Sequence, residues 1–327
     1  TLTVSGNTYT NNLKYDITPS ASAGALDIAQ WDISNSIQNA LSDSTKLYRP
    51  VEMLGNTVLS ADLSSEGNGW FVLDGKGHDL DFNGHIGLTT SSGLRIIINN
   101  VGLMDGDTVV NSLHGITDGP LFSTYKALTI NNSVIYGNSR STSDGLLWLA
   151  NEKSVLKDSY FIGNSHTGDI GVFTLLGKTD ISGSTFKDNT SGSTASIIYL
   201  RNDLARIDSS NFINNISGYN GMISNAYQAG INMNARTYVL NSTFTGNSSS
   251  AGGAINNAVG SYLFVSDSEF TGNSSKSHGG ALYSRGAMSV FGSIFTNNYT
   301  TTTNGDGEAA VSYTHLRARE TVLDLVC

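Results

Sequence analysis

Cysteine is nearly missing from this chain of 327 residues: there is one, Cys327, at the last position. A disulfide framework and any thiolate metal site are thereby excluded. Proline occurs only three times. Charged residues make up 14%, against about 25% in an average soluble domain. The balance is acidic, with 18 Lys and Arg against 27 Asp and Glu and a net charge of -9. Nucleic-acid binding needs clustered basic residues, so that class is set aside. No apolar run approaches the roughly 20 residues of a transmembrane helix. The stretch from Leu94 to Val101, for example, is broken by Arg95, Asn99 and Asn100. The chain opens Thr1-Leu2-Thr3 without Met or a signal peptide and reads as a fragment or a mature form. What is abundant is glycine (36) and asparagine (33). Hydrophobic residues reach 39%, enough to fill a core, so the composition is not that of a disordered tract.

A repeat organises the second half. Phe161-Ile162-Gly163-Asn164 recurs at Phe186–Asn189, Phe212–Asn215, Phe244–Asn247, Phe270–Asn273 and Phe295–Asn298, with a degenerate earlier copy at Ile135–Asn138. A serine stands two residues before each aromatic or isoleucine: Ser133, Ser159, Ser184, Ser210, Ser242, Ser268 and Ser293. The intervals are 26, 25, 26, 32, 26 and 25 residues. The long one places an inserted loop around 226–235. Each copy carries three short apolar pieces bounded by Gly, Asn and Ser, which is strand and turn chemistry. No stripe of helical period is present. A propeller blade needs 40 or more residues, so the period is too short for that fold.

Strands this short bury their apolar side only by stacking on the next copy. The reading is an all-β chain: a right-handed, single-stranded parallel β-helix, or solenoid. Ile135, Phe161, Phe186, Phe212, Phe244, Phe270 and Phe295 form its core ladder. Asn138, Asn164, Asn189, Asn215, Asn247, Asn273 and Asn298 form a second ladder at a turn, amide on amide. Gly252, Gly253, Gly279 and Gly280 mark a corner too tight for a Cβ. Residues 1–70 read as an N-terminal cap with irregular first coils, 71–311 as the β-helix, regular from about 128. The segment Asp32–Leu41 places Ile33, Ile37, Ala40 and Leu41 on one helical face and reads as a short capping helix. Asn100-Val101-Gly102-Leu103 reads as an early copy of the motif.

The alternation of Phe-x-x-Asn with Gly-Gly-Ala-(Ile/Leu), at 252 and 279, resembles the repeats of the polymorphic outer-membrane protein family over about residues 128–311. These are autotransporter-like bacterial surface proteins of the chlamydial type. The resemblance implies a parallel β-helix passenger, displayed extracellularly or on the outer-membrane surface, often adhesive. The chain departs from that family in lacking a secretion signal and a C-terminal barrel. Residues 312–327 change character: they hold no Gly or Asn and four charges. They resemble a translated adapter and read as a non-native tail, with a capping helix as the alternative.

Many β-helices act on polysaccharides, so carboxylates matter. The densest polar cluster is Asp74, His78, Asp79, Asp81 and His85. Asp79 and Asp81, two apart, face one side of a strand. A sugar or calcium groove accounts for them, and so does a solvated outer face. Asp74, His78, Asp79 and Asp81 are therefore kept as candidates, with no catalytic residue assigned. Asp105-Gly106-Asp107 reads as a turn. No histidine pairing supports a metal site and no cofactor is expected. Tyr199, Tyr219, Tyr227, Tyr283 and Trp148 are candidate sugar-stacking rings, with core or turn roles as the alternative. Sequons such as Asn247-Ser248-Ser249 follow from the ladder composition. The expected function is display and adhesion as a monomer, with a host-surface or extracellular glycan or protein as partner. A carbohydrate-active lyase or hydrolase and a ligand-free spacer are the alternatives.

Overall fold

The computed structural model describes residues 37–301 and 311–313, except 43–44, 66, 91–92, 118, 142–144, 150–151, 170, 193–195, 202–203 and 226–234. The inserted loop at 226–234, Ile33, Tyr227 and residues 314–327 thus lie outside the described residues. The chain winds into a β-solenoid of about nine turns. Three long parallel sheets run its length, of ten, ten and nine strands. The first begins at Tyr48–Glu52 and Gly69–Asp74 and ends at Ala287–Phe291. The second runs from Thr57–Val58 through Tyr160–Ile162 to Ile294–Thr296. The third runs from Leu88–Thr90 to Val311–Tyr313. Stacking begins at Tyr48. The strand Val311–Tyr313 pairs in register with Leu282–Ser284, so the backbone of Ser312 and Tyr313 continues the third sheet.

Alternation decides which side of each strand turns inward. Leu128 and Ile130 are buried and Thr129 is half-buried, and the same alternation holds at Ser154–Lys157 and Ala205–Asp208. Within the second sheet the aromatic of each repeat points to the core. Phe161, Phe186, Phe212, Phe244, Phe270 and Phe295 form one column, with neighbouring rings 4.6–5.1 Å apart and within 12° of parallel. Ile135 extends it one coil earlier.

Two hydrogen-bonded ladders flank that column. From Asn164 onward each ladder asparagine accepts at Oδ1 from both the N–H and the Nδ2 of the asparagine one coil earlier, while Asn138 accepts from the Ile116 N–H; for Asn189 onto Asn215 the distances are 3.1 and 2.9 Å. Each Nδ2 also donates to the carbonyl of the earlier coil's core residue, Leu113 and Ile135 for Asn138 and Asn164 and phenylalanine thereafter, as Asn215 does to Phe186 at 2.9 Å. The run extends from Asn138 to Asn298. The repeated serines make the second ladder. The Ser133 N–H donates to Ser159 Oγ at 3.2 Å, and Ser159 Oγ donates to the Lys157 carbonyl at 2.7 Å. The same pair of bonds recurs to Ser293. Burial of these amides and hydroxyls is tolerated because their partners are supplied coil by coil.

The residue before each ladder position has a positive φ: Asn132, Asp158, Gly183, Ser209, Asn241, Asp267 and Gly292 before the serines, and Gly137, Gly163, Asp188, Asn214, Gly246, Gly272 and Asn297 before the asparagines. Gly, Asn and Asp tolerate that conformation best, which explains the punctuation of the motif. The glycine corner is set by space as well. A Cβ on Gly253 would stand 2.0 Å from the Gly280 carbonyl oxygen, and one on Gly280 would stand 2.4 Å from the Tyr299 nitrogen. Gly253→Ala is expected to lose about 1–3 kcal/mol, toward the upper end because the obstacle is backbone. Urea denaturation checks this, and an unchanged midpoint would contradict it.

The described helix is Ile37–Ser42, with Ile37, Ala40 and Leu41 buried against the first coils. Arg49, 1% exposed, ties it down. Its guanidinium donates to the carbonyls of Leu41 and Lys46 and to Ser65 Oγ at 3.0–3.2 Å. The early motif copy is corrected by the structure. Leu103 is 52% exposed, and Leu113 is the core partner of Ile135. Residues Leu103–Asp105 and Thr108–Asn111 instead form an antiparallel hairpin pushed out of the coil. Asp105-Gly106-Asp107 forms its turn, with Gly106 at φ 57°.

Candidate functional site

The carboxylates gathered by sequence fall into two groups. Asp79 and Asp81 share His114, which comes from the next coil. Asp79 Oδ2 lies 2.9 Å from His114 Nε2 and Asp81 Oδ1 lies 3.6 Å from Nδ1. Asp79 Oδ1 also accepts the Ser112 N–H at 2.8 Å, and Asp81 Oδ1 accepts the Asn83 N–H at 2.7 Å. His85 faces Asp62 at 3.3 Å. His78 is held through its backbone, bonded to Gly75 and Gly102. Among the described residues, no group of three or more His, Cys, Asp or Glu is placed to hold a metal ion.

Asp74 belongs elsewhere. It ends a strand of the first sheet, at the corner leading to the second. Lys76 Nζ donates to its Oδ2 at 3.0 Å, and Asn100 Nδ2 donates to its Oδ1 at 3.0 Å. Asn132 Nδ2 then donates to Asn100 Oδ1 at 2.9 Å. The hydrogen bond to Asp74 holds the Lys76 ammonium above its usual value, against the opposing effect of burial. Among the described residues, Asp74 shares no hydrogen-bond partner with Asp79 or Asp81.

The displaced hairpin makes a wall over this corner. It is pinned by the Asn111 amide, which donates to the Gly77 carbonyl at 2.9 Å. Between the hairpin and the second sheet lies a half-open cleft of about 520 Å³. Asp74, Lys76, Asn100 and Asn132 line its polar side, and Leu103 and Tyr160 stand opposite in character. Sequence reasoning missed His114, Asn100, Asn132 and Tyr160. The available signal was the 32-residue interval from Asn100 to Asn132, six longer than the usual coil.

A second charged cluster crosses three coils on the outer first sheet. Arg95 donates to both Glu152 oxygens at 2.9 and 3.0 Å, Lys126 Nζ donates to Oε1 at 3.0 Å, and the Arg95 guanidinium lies 5.1 Å from the Trp70 ring centroid. Burial pushes the Glu152 carboxyl up, but the Lys126 and Arg95 hydrogen bonds and charges outweigh it and hold it below the usual carboxylate range. A lowered folded pKa stabilises above the unfolded value and is lost as pH falls through the folded one. Glu152→Gln is therefore expected to cost about 1 kcal/mol near neutral pH, with the deficit shrinking as pH falls below the unfolded carboxylate value of about 4.3. Paired thermal melts across that range check the sign; a deficit that grows in acid would contradict it.

Trp148, Tyr199 and Tyr283 share one register column of the third sheet but stand two and three coils apart. Trp148 meets Tyr125 edge-on at 5.1 Å, while Tyr283 stacks on His278 at 4.9 Å with Arg285 over its ring. Tyr199 is half-buried on the third sheet and Tyr219 is 54% exposed in a turn. The ladder sequons at Asn189, Asn215, Asn247 and Asn273 are closed to modification in the folded chain, since those four side chains are fully buried. No helix among the described residues is long and apolar enough to cross a membrane. No family model matches this chain, and no curated protein or solved structure does.

Proposed function

We propose that this protein is a surface-displayed bacterial β-helix that works by binding an extracellular glycan or protein, in the manner of an adhesive passenger. The observation that carries this is the makeup of the open cleft. Its lining combines amides and an Asp–Lys pair already bonded to one another with a tyrosine and aliphatic side chains. Such a lining suits recognition, because amides and a phenol offer donors and acceptors without a free acid and base. The outer rows of the rod support the same reading. Where the interior repeats Phe coil after coil, the outward position beside it runs Thr185, Asn211, Thr243, Glu269 and Ile294. A regular interior with a varied exterior gives a rigid rod with a specific surface. The repeat resemblance to polymorphic outer-membrane proteins agrees with display outside the cell.

The labelled full chain, offered to epithelial cells and to immobilised matrix proteins, is expected to bind saturably and to be displaced by excess unlabelled protein. Absence of saturable binding overturns the proposal. So does turnover of pectin or alginate that disappears in Asp79→Asn or Asp81→Asn, which would establish the carbohydrate-enzyme alternative.

A further inference from the structure

We infer that the hairpin-walled cleft is a subsite for a neutral pyranoside, an inference that rests on the binding function proposed above. The volume, about 520 Å³, lies within the roughly 300–1,000 Å³ of small-ligand clefts. The charge inside is matched, since Lys76 meets Asp74 at 3.0 Å. Glu52 Oε2 lies 3.6 Å from the same ammonium, so these three side chains together carry a net charge of -1. That charge disfavours uronic acids and other acidic sugars.

What the cleft offers instead fits hydroxyl groups. Asn132 donates to Asn100 and Asn100 donates to Asp74, in one polarised chain. Among the described residues each amide keeps a second N–H unbonded, and the Asn132 Oδ1 keeps its acceptor capacity. Adjacent hydroxyls of a sugar ring both donate and accept, as these amides do. Tyr160, 37% exposed, supplies an aromatic ring, and Leu103 on the hairpin, 52% exposed, an aliphatic edge. Such rings bury the C–H face of a pyranose while the phenol stays wet. Tyr160 and Asn132 come from successive coils, and the hairpin from the coil before, so the site exists only in the stacked solenoid.

The fold itself supplies substitutions that remove the chemistry and keep the backbone. Asn132 has φ 44°, and the equivalent corner positions are Gly183 and Gly292 at 58° and 53°. Tyr160 pairs in register with Thr185, which fills the same outer place one coil on. The full chain, Asn132→Gly, Tyr160→Thr and a distant control, the exposed Val259→Ala, are titrated by calorimetry and saturation-transfer NMR. The probes are cellobiose, maltose, mannobiose and lactose, with polygalacturonate as the acidic comparison. At least one neutral disaccharide is expected to bind saturably. Each cleft variant is expected to weaken it at least about fivefold, with the melting temperature and the control unchanged. The inference is overturned if none of the four binds, if both cleft variants bind as well as the parent, or if polygalacturonate binds tightest. Cell binding separates the two claims. If the full chain still adheres to cells while no disaccharide binds, the subsite falls and the binding function stands. If the full chain does not adhere at all, the wider reading falls.

Discussion

Asn215→Ala is expected to destabilise the solenoid by about 3–6 kcal/mol, although the side chain carries no charge and is small. The substitution removes four hydrogen bonds at once. Asn189 loses the acceptor for its N–H and for one amide hydrogen, the Phe186 carbonyl loses a donor, and Asn247 loses one of its two. All these groups lie where water does not reach: Asn189, Asn215 and Asn247 are each 0% exposed. A buried donor without a partner costs about 1–3 kcal/mol, so two of them set the scale. Asn215→Asp gives a sharper readout. One carboxylate oxygen would replace the amide nitrogen that donates, at 2.9 Å each, to the Phe186 carbonyl and to Asn247 Oδ1. Both neighbours are acceptors, so the ionised form is disfavoured in the folded chain and its pKa there rises. Stability of that variant is therefore expected to fall as pH rises above the unfolded value of about 3.9. Urea midpoints measured across this range check it; a variant insensitive to pH would contradict the buried ladder.

Phe244→Ala is expected to cost about 3–5 kcal/mol through lost burial and a cavity between two rings. Phe244 is fully buried, 4.6 Å from Phe212 and 4.7 Å from Phe270, with interplanar angles of 10° and 3°. Phe244→Leu keeps much of the volume and removes both ring contacts. At about 0.5–1.5 kcal/mol per aromatic pair, it is expected to lose about 1–3 kcal/mol. The difference between the two variants separates volume from stacking. Equal effects would show that ring alignment contributes nothing. Because each coil contacts only its neighbours, a defect at this depth weakens the coils on both sides.

The period was legible because each interior role falls to one residue type. Phe at 161, 186, 212, 244, 270 and 295 and the paired Asn three residues later announce both a column and a turn, and the residue before each Asn is Gly, Asp or Asn because φ is positive there. Serine recurred just as faithfully, but nothing local says that its Oγ receives the N–H of the previous coil. The early coils were harder to read for a tertiary reason. Asn100-Val101-Gly102-Leu103 carries the same punctuation as the motif, and only competition for the core decides that Leu113 goes in and Leu103 goes out on the hairpin. Cross-coil partners are equally silent in sequence. His114 lies 35 residues from Asp79, and Arg49 is a buried cation that stands between ordinary strand residues. The cleft follows from that same displaced hairpin, so its lining became visible only once the register was known.

The central claim is that coils stack in register whatever the sequence length between them. Tyr136, Ile162, Lys187, Ile213, Thr245, Thr271 and Thr296 are successive outward partners along the second sheet. Nitroxide labels on engineered cysteines at 136 and 245, 162 and 296, and 136 and 296, with Cys327 replaced, span four, five and six steps. Pulsed dipolar spectroscopy is expected to return distances near 19, 24 and 29 Å, at about 4.8 Å per coil. The 32-residue interval between Ile213 and Thr245 is expected to add one ordinary step and no more. Distances that fail to climb by one strand spacing per coil, or that lengthen across that interval, would contradict the stacked solenoid.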